Sequence, residues 1–176
     1  MKKTDYSNIS ARYDKNKFRH DIKLDCDLKD YINCCKKGKY AVLDLACGTG
    51  IYLDNQIKHF KHVNIEWHGL DLSKEMLDKA KAKVDNVLFT NGKAEKLPYD
   101  CSYFDFISNN YAFHHFENKS EALDEVGRVI KKDGIFKMHN IAIHDMSKWW
   151  IYQLFPSVYY EDLKRFWQKE LIFKEL

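Results

Sequence analysis

One stretch limits the folds open to this chain more than any other: Val42-Leu43-Asp44-Leu45-Ala46-Cys47-Gly48-Thr49-Gly50. It reads as a short apolar strand that runs into a small glycine-containing turn, with a helix following over about 51–60. The glycines let a backbone approach a ligand closely, and the helix start offers unpaired N–H groups, so the unit makes a nucleotide-type cradle. An acid, Asp44, sits where the strand enters the turn.

The rest of the chain alternates strand and helix around that unit. Leu24, Leu28, Tyr31, Ile32 and Cys35 fall on one face of a helix over 21–37, with Gly38 as its stop. Residues 40–45 form the first strand, continuously apolar up to Asp44, as a strand buried on both faces should be. Further strands are expected at 64–71, 87–90, 104–108 and 135–143. Ser73 is a good N-cap for a helix over 74–84, and Ala122, Leu123, Val126 and Ile130 point inward from a helix over 119–131. Lys131-Lys132-Asp133-Gly134 has turn composition. The pattern predicts one α/β domain, a doubly wound, mostly parallel sheet with helices on both faces. It divides into an N-terminal arm and helix (1–37), a binding core (38–143) and an aromatic helical tail (144–176), split by Pro156 into two helices.

Composition narrows the function. The 176 residues carry 29 basic and 26 acidic side chains, a net charge of +3, which is too balanced to argue for nucleic acid or an anionic membrane. No run approaches the roughly 18 apolar residues of a membrane span. The polar start, Met1-Lys2-Lys3-Thr4-Asp5, has no signal-peptide core, so a cytoplasmic location is expected. The five cysteines form no C-x-x-C pair and read as free thiols, and no metal site is expected. The adjacent Cys34 and Cys35 are a soft-metal candidate, against the plainer reading of one thiol on a buried helix face and one beside it.

In a doubly wound sheet, ligands bind outside the carboxyl ends of the strands at the switch point. The turn 44–50 falls there, as do Asp71, Gly92-Lys93-Ala94-Glu95, and Ser108-Asn109-Asn110-Tyr111 with His114-His115 beyond. Asp71 lies about 20 residues past the glycine turn, where an acid can accept both hydroxyls of a ribose. A dinucleotide fingerprint would need a glycine at Ala46 and another near Ile51. Asp44 would also repel a pyrophosphate, and it would attract an ammonium. A nucleoside with an amino-acid tail fits: ribose on Asp71, ammonium near Asp44, carboxylate toward backbone N–H groups.

On these residues the chain resembles the class I S-adenosylmethionine-dependent methyltransferases. Residues 42–50 resemble their first motif and 69–77 their ribose-binding segment, while 92–99 resemble the adenine-side segment. Phe104-Asp105, His114-His115-Phe116 and the stretch 125–134 complete the order, and the match covers about 38–143. Within that group the pattern is nearest the small-molecule enzymes that act on quinones and sterols. The resemblance implies a Rossmann-like fold, S-adenosylmethionine as cofactor and methyl transfer to a small-molecule acceptor. It further implies that Asp44, Ala46, Gly48 and Gly50 hold the methionine part, Asp71 the ribose, and Leu72 and Met76 the adenine, with Lys93, Ala94 and Asn109 also at the cofactor. The plainer readings are a turn acid for Asp44 and a helix N-terminal acid for Asp71.

Lys93 departs from the pattern: this family most often has an acid there, and a charged lysine only donates. Weaker cofactor binding is expected. The sulfonium is already an activated leaving group, so holding acceptor and methyl in line supplies most of the acceleration. His114 and His115 are the candidate general bases, with packing as the alternative role. An Asn-Pro-Pro-Tyr signature for amino acceptors is not present; Asn109-Asn110-Tyr111 echoes it without prolines. Tyr13, Asp14 and Arg19 resemble an arm that folds over the cofactor. The family's last two strands, an edge hairpin, are expected to be missing. That leaves the fifth strand as an edge, and the aromatic tail to cover it, line the acceptor pocket or join a homodimer. The alternative function is a cofactor- or product-binding module, or a catalytically incomplete fragment.

Overall fold

A computed structural model describes residues 23–140 and 150–176. The expected arm with Tyr13, Asp14 and Arg19 lies outside the described residues. The elements run α1 (Cys26–Cys35), β1 (Tyr40–Leu45), α2 (Ile51–His59), β2 (Ile65–Asp71), α3 (Lys74–Lys83), β3 (Val87–Asn91) and β4 (Phe104–Asn110). A 3-10 turn (Phe113–His115), α4 (Lys119–Val129), β5 (Ile130–His139), α5 (Trp150–Leu154), α6 (Pro156–Leu163) and α7 (Lys169–Glu175) follow. The five strands pair in parallel in the order β3-β2-β1-β4-β5. The order reverses between β1 and β4, which makes their carboxyl ends the switch point.

Alternation along the strands sorts the side chains into two cores. Val42, Trp67 and Phe106 face one way and pack with Leu28 and Tyr31 of α1, Tyr52 and Leu53 of α2 and Leu77 of α3. Leu43, Leu45, Leu70 and Ile107 face the other way and pack with Ala122, Val126 and Val129 of α4. Register extends the first face into a polar row at the carboxyl edge: Asp44 stands beside Ser108, Ser108 beside Lys137, and Asn110 beside His139.

The helix ends follow the capping rules. Asp25 caps α1 by accepting from Leu28 N–H, and Ser73 caps α3 by accepting from Met76 N–H, as expected. α1 is shorter than the expected 21–37; its chain leaves the helix through Lys36 in the left-handed region (φ 47°). At the opposite end of the sheet from the cradle, the fully buried Asp105 accepts from Lys37 (2.6 Å), Lys131 (2.7 Å) and the N–H of Ala41 (2.9 Å). That one carboxylate ties the link after α1, together with β1 and β5, to β4. Burial works to push it up, but the two ammonium groups outweigh that and hold it below the usual carboxylate range.

Two expectations change. Residues 131–134 are not a separate turn: β5 begins at Ile130, paired with Phe104, and Ile135 pairs with Phe106. The intervening residues bulge on the edge strand, so turn composition and strand pairing coexist there. In the tail, Pro156 stands at the first turn of α6, as its fixed φ favours. A second break after Leu163 produces a third helix. There Phe166 turns inward, with its ring stacked on His114 at 4.4 Å. Trp167 sits edge-on to Phe113 at 5.8 Å, with the Lys119 ammonium over its ring. The tail therefore packs on the segment that follows β4. Leu154, Phe155, Tyr160 and Phe173 remain exposed.

Candidate cofactor site

The turn after β1 passes through the left-handed region three times in five residues, at Ala46 (φ 61°), Gly48 (φ 55°) and Gly50 (φ 73°). A Cβ at Gly48 would meet nothing within 4 Å, so that peptide borders open space. A Cβ at Gly50 would stand 3.1 Å from that of Ala80, so the far side of the turn packs tightly on α3. Three bonds fix the loop: Cys47 N–H donates to the Leu70 carbonyl (3.0 Å), Gly48 N–H to Asp71 Oδ2 (2.8 Å), and Asn109 Nδ2 to the Leu45 carbonyl (2.8 Å). The cradle is thus held by β2 on one side and β4 on the other.

Asp44 is the last residue but one of β1, with its carboxylate buried. Ser108 Oγ donates to its Oδ1 at 2.9 Å, and Asn110 Nδ2 approaches the same oxygen at 3.5 Å. Burial pushes Asp44 up to about 7; the bonds from Ser108 and Asn110 pull the other way, and Asp71 and Asp25 add repulsion. A carboxylate in this state gains from a cation. The alternative of a turn acid satisfied by local N–H groups does not describe it, because its partners are side chains of β4.

Asp71 stands ahead of α3, as its plainer reading has it, and also reaches across to the turn. Its Oδ1 accepts from Ser73 N–H and its Oδ2 from Gly48 N–H, each at 2.8 Å, so it caps the approach to α3 and steadies the cradle. Burial pushes the carboxyl up, and the N–H bonds from Ser73 and Gly48 draw it back. Each oxygen keeps a further lone pair. Asn91 Nδ2 donates to the carbonyls of Asp71 and Leu72, which fixes the end of β2, and Leu72 is left exposed.

The remaining expected residues divide. Met76 and Ala94 are buried, and Lys93 reaches Glu117 at 2.9 Å rather than standing free. Asn109 needs correction as a cofactor contact. β4 runs on to Asn110, which turns Asn109 to the face opposite Ser108 and Asn110; it is fully buried and supports the turn from behind. Its Oδ1 has no partner among the described residues.

The histidine pair sits under the tail. His114 Nδ1 lies 3.4 Å from Asn140 Oδ1, and His115 Nδ1 lies 3.0 Å from an Arg165 guanidinium nitrogen. Desolvation beneath the tail, with the cations Arg165 and Lys119, pushes His114 down to about 4 and His115 down to about 3. A guanidinium only donates, so Nδ1 of His115 is the acceptor there and is not available to take a proton. The packing reading fits both better than general-base catalysis. Ser108 and Asn110, which hold Asp44, were placed near the site by sequence but given no role. Strand alternation, once β4 is known to reach Asn110, identifies them. Among the described residues no group of three or more His, Cys, Asp or Glu side chains could hold a metal ion, and no helix is long and apolar enough to cross a membrane.

Comparison with known proteins agrees with this arrangement. The family model described as "Methyltransferase domain" matches residues 42–134, more than half of the chain. YcgJ of Bacillus subtilis, an uncharacterized methyltransferase, is 37% identical over 105 residues, covering 57% of this chain and 40% of that protein. Its crystal structure superimposes with a TM-score of 0.54 at 33% identity, covering 66% of this chain and 51% of that one. The ubiquinone/menaquinone biosynthesis C-methyltransferase UbiE of Campylobacter jejuni is 37% identical over 99 residues, 53% of this chain and 41% of its own. The demethylmenaquinone methyltransferase of Leptospira interrogans is 31% identical over 135 residues, 70% of this chain and 54% of its own. The chain spans between 40% and 54% of the length of these curated relatives. From the family match and the cradle at the head of its sheet, the chain belongs to the methyltransferase domain family.

Proposed function

We propose that this chain binds S-adenosylmethionine and transfers its methyl group to a small-molecule acceptor. The buried Asp44 carboxylate beside the open Gly48 peptide carries the reading, because a cationic amino-acid tail is what that pair accommodates. Asp44 would take the ammonium and Asp71 the ribose, Leu72 would cover the adenine, and the sulfonium supplies an activated methyl. The quinone-directed relatives UbiE and demethylmenaquinone methyltransferase favour an acceptor of that size and chemistry. A balanced net charge of +3 does not argue for nucleic acid. A cytoplasmic site of action and a homodimer through β5 or the tail belong to the same proposal; the exposed Phe155, Tyr160 and Phe173 support the dimer.

The second reading, a binding module without transfer, draws on the partial coverage of the relatives. Calorimetry with S-adenosylhomocysteine, then transfer of a tritiated methyl group into pooled small-molecule extract, separates the two. Binding with transfer supports the enzyme, binding without transfer the module, and no binding defeats both.

A further inference from the structure

At the carboxyl ends of β4 and β5 stands a pair of side chains that the cofactor reading does not use. Tyr111 follows Asn110 with φ 54°, a conformation that costs a bulky residue free energy. It is held there by His139: Tyr111 N–H donates to the His139 carbonyl (2.7 Å), the rings lie 4.6 Å apart, and Tyr111 Oη is 3.1 Å from His139 Nε2. Both side chains are exposed, Tyr111 at 53%. Through the register Asn110–His139, the pair continues the polar row that begins at Asp44, on the same face of the sheet. Tyr111 and His139 thus form an exposed hydroxyl–imidazole pair, strained at Tyr111, at the carboxyl edge of the two strands that follow β1 in the sheet.

Resting on the methyl-transfer reading, we infer that Tyr111 and His139 form a relay that deprotonates a weakly acidic hydroxyl acceptor of the phenol or enol class. Tyr111 Oη takes the acceptor's hydroxyl proton as its own proton passes to His139 Nε2. The acceptor's freed electron pair, on oxygen or on the conjugated carbon, forms the bond to the methyl carbon. The carbon–sulfur bond breaks with its pair left on sulfur. The positive charge of the sulfonium ends on the His139 imidazolium, which returns its proton to water; transfer to carbon releases that carbon's own proton as the ring recovers its conjugation. Among the described residues, His114 and His115 do not compete, since His115 Nδ1 accepts from Arg165 and His114 is stacked beneath Phe166. Among the described residues, the titratable groups around the relay are Asp44 on β1, Lys137 on the same face of β5, and His114 beyond β4. Lys137 is bound by Asp25 (2.8 Å) and Asp27 (2.9 Å), and His114 contacts Asn140.

The probe is 4-nitrocatechol, a phenol whose ionisation is visible by its colour. Below the probe's own pKa, the S-adenosylhomocysteine-loaded protein should bind it as the coloured anion, and Tyr111→Phe and His139→Asn should lose that colour. In transfer assays with S-adenosylmethionine, both variants should lower kcat at least tenfold below the probe's pKa and less than twofold above it, where the probe arrives ionised. Their affinity for S-adenosylhomocysteine should stay within twofold of wild type. Equal loss above and below the probe's pKa, or no loss, overturns the relay. Tight S-adenosylhomocysteine binding with methylation of amines or thiols and not of phenols overturns the relay but leaves the methyltransferase reading standing. Absence of S-adenosylhomocysteine binding overturns both.

Discussion

Replacing Asp44 by asparagine should make the protein more stable and a poorer binder at the same time. The folded carboxyl is pushed up to about 7 by burial. Set against an unfolded carboxylate near pH ~4, the ionised form costs the fold about 4 kcal/mol at pH 8. The sign follows from proton binding: the folded state holds this proton more tightly, so the cost begins as pH rises through the unfolded value and is complete above about 7. Asp44→Asn keeps the shape and an oxygen for Ser108 to donate to, but cannot ionise. Urea unfolding should therefore show the variant more stable by roughly 2–4 kcal/mol at pH 8, with less than half that gain at pH 5. Calorimetry should show the reverse for the ligand. Loss of a buried charge partner for the ammonium removes at least about 2 kcal/mol, a factor of roughly 30 in Kd for S-adenosylhomocysteine. Wild-type affinity should fall about fivefold between pH 7 and pH 6 as Asp44 takes up its proton, and the variant's should not. A variant that is less stable at pH 8, or one that keeps the wild-type pH dependence of binding, would refute the reasoning.

Other perturbations test neighbouring parts. Asp71→Ala should abolish S-adenosylhomocysteine binding, since it removes the ribose acceptor and the bond to Gly48 together; intact affinity rejects the ribose assignment. Lys93→Asp should tighten binding by supplying an acceptor on the adenine side, and an unchanged or larger dissociation constant rejects that role for the position. Asn109→Ala leaves the Leu45 carbonyl without its side-chain donor and should cost about 1–3 kcal/mol in urea unfolding. Asp105→Ala leaves Lys37 and Lys131, both partly open to water, without their shared anion and should cost about 1–3 kcal/mol. Because that carboxyl is held low, its contribution in the wild type is present above the ordinary carboxylate range and is lost as pH falls below that range through the lower folded value.

The parts that could be read from sequence were those where local chemistry and tertiary context agree. Apolar runs at 40–45 and 104–108, each interrupted by a single acid, mark buried parallel strands, and Ser73 marks a helix start, because burial and capping each leave a local signature. The cradle could be read for the same reason. What failed depended on pairing across the chain. Lys131 to Gly134 carry turn residues, yet the pairing of Ile130 with Phe104 draws them into an edge strand. Asn109 faces away from Ser108 and Asn110 because β4 runs two residues further than its apolar stretch, and in a strand parity decides which face a side chain takes. The Tyr111–His139 pair had no local signature, since it exists only through the β4–β5 register.

The cradle's three fastenings have a consequence for how the molecule assembles. Leu45, Cys47 and Gly48 are held by Asn109, Leu70 and Asp71, and every strand pairing in this sheet is parallel and joins segments separated by a crossover. No short fragment around residues 42–50 can therefore adopt the binding conformation; β2 and β4 must already be docked on β1. Formation of the site is a late event that reports on nearly the whole sheet, and non-local pairing of this kind makes folding slow. A ligand that recognises the finished turn then acts on the entire domain: at a hundred times its Kd it adds about 2.7 kcal/mol to the stability of every element the turn ties together.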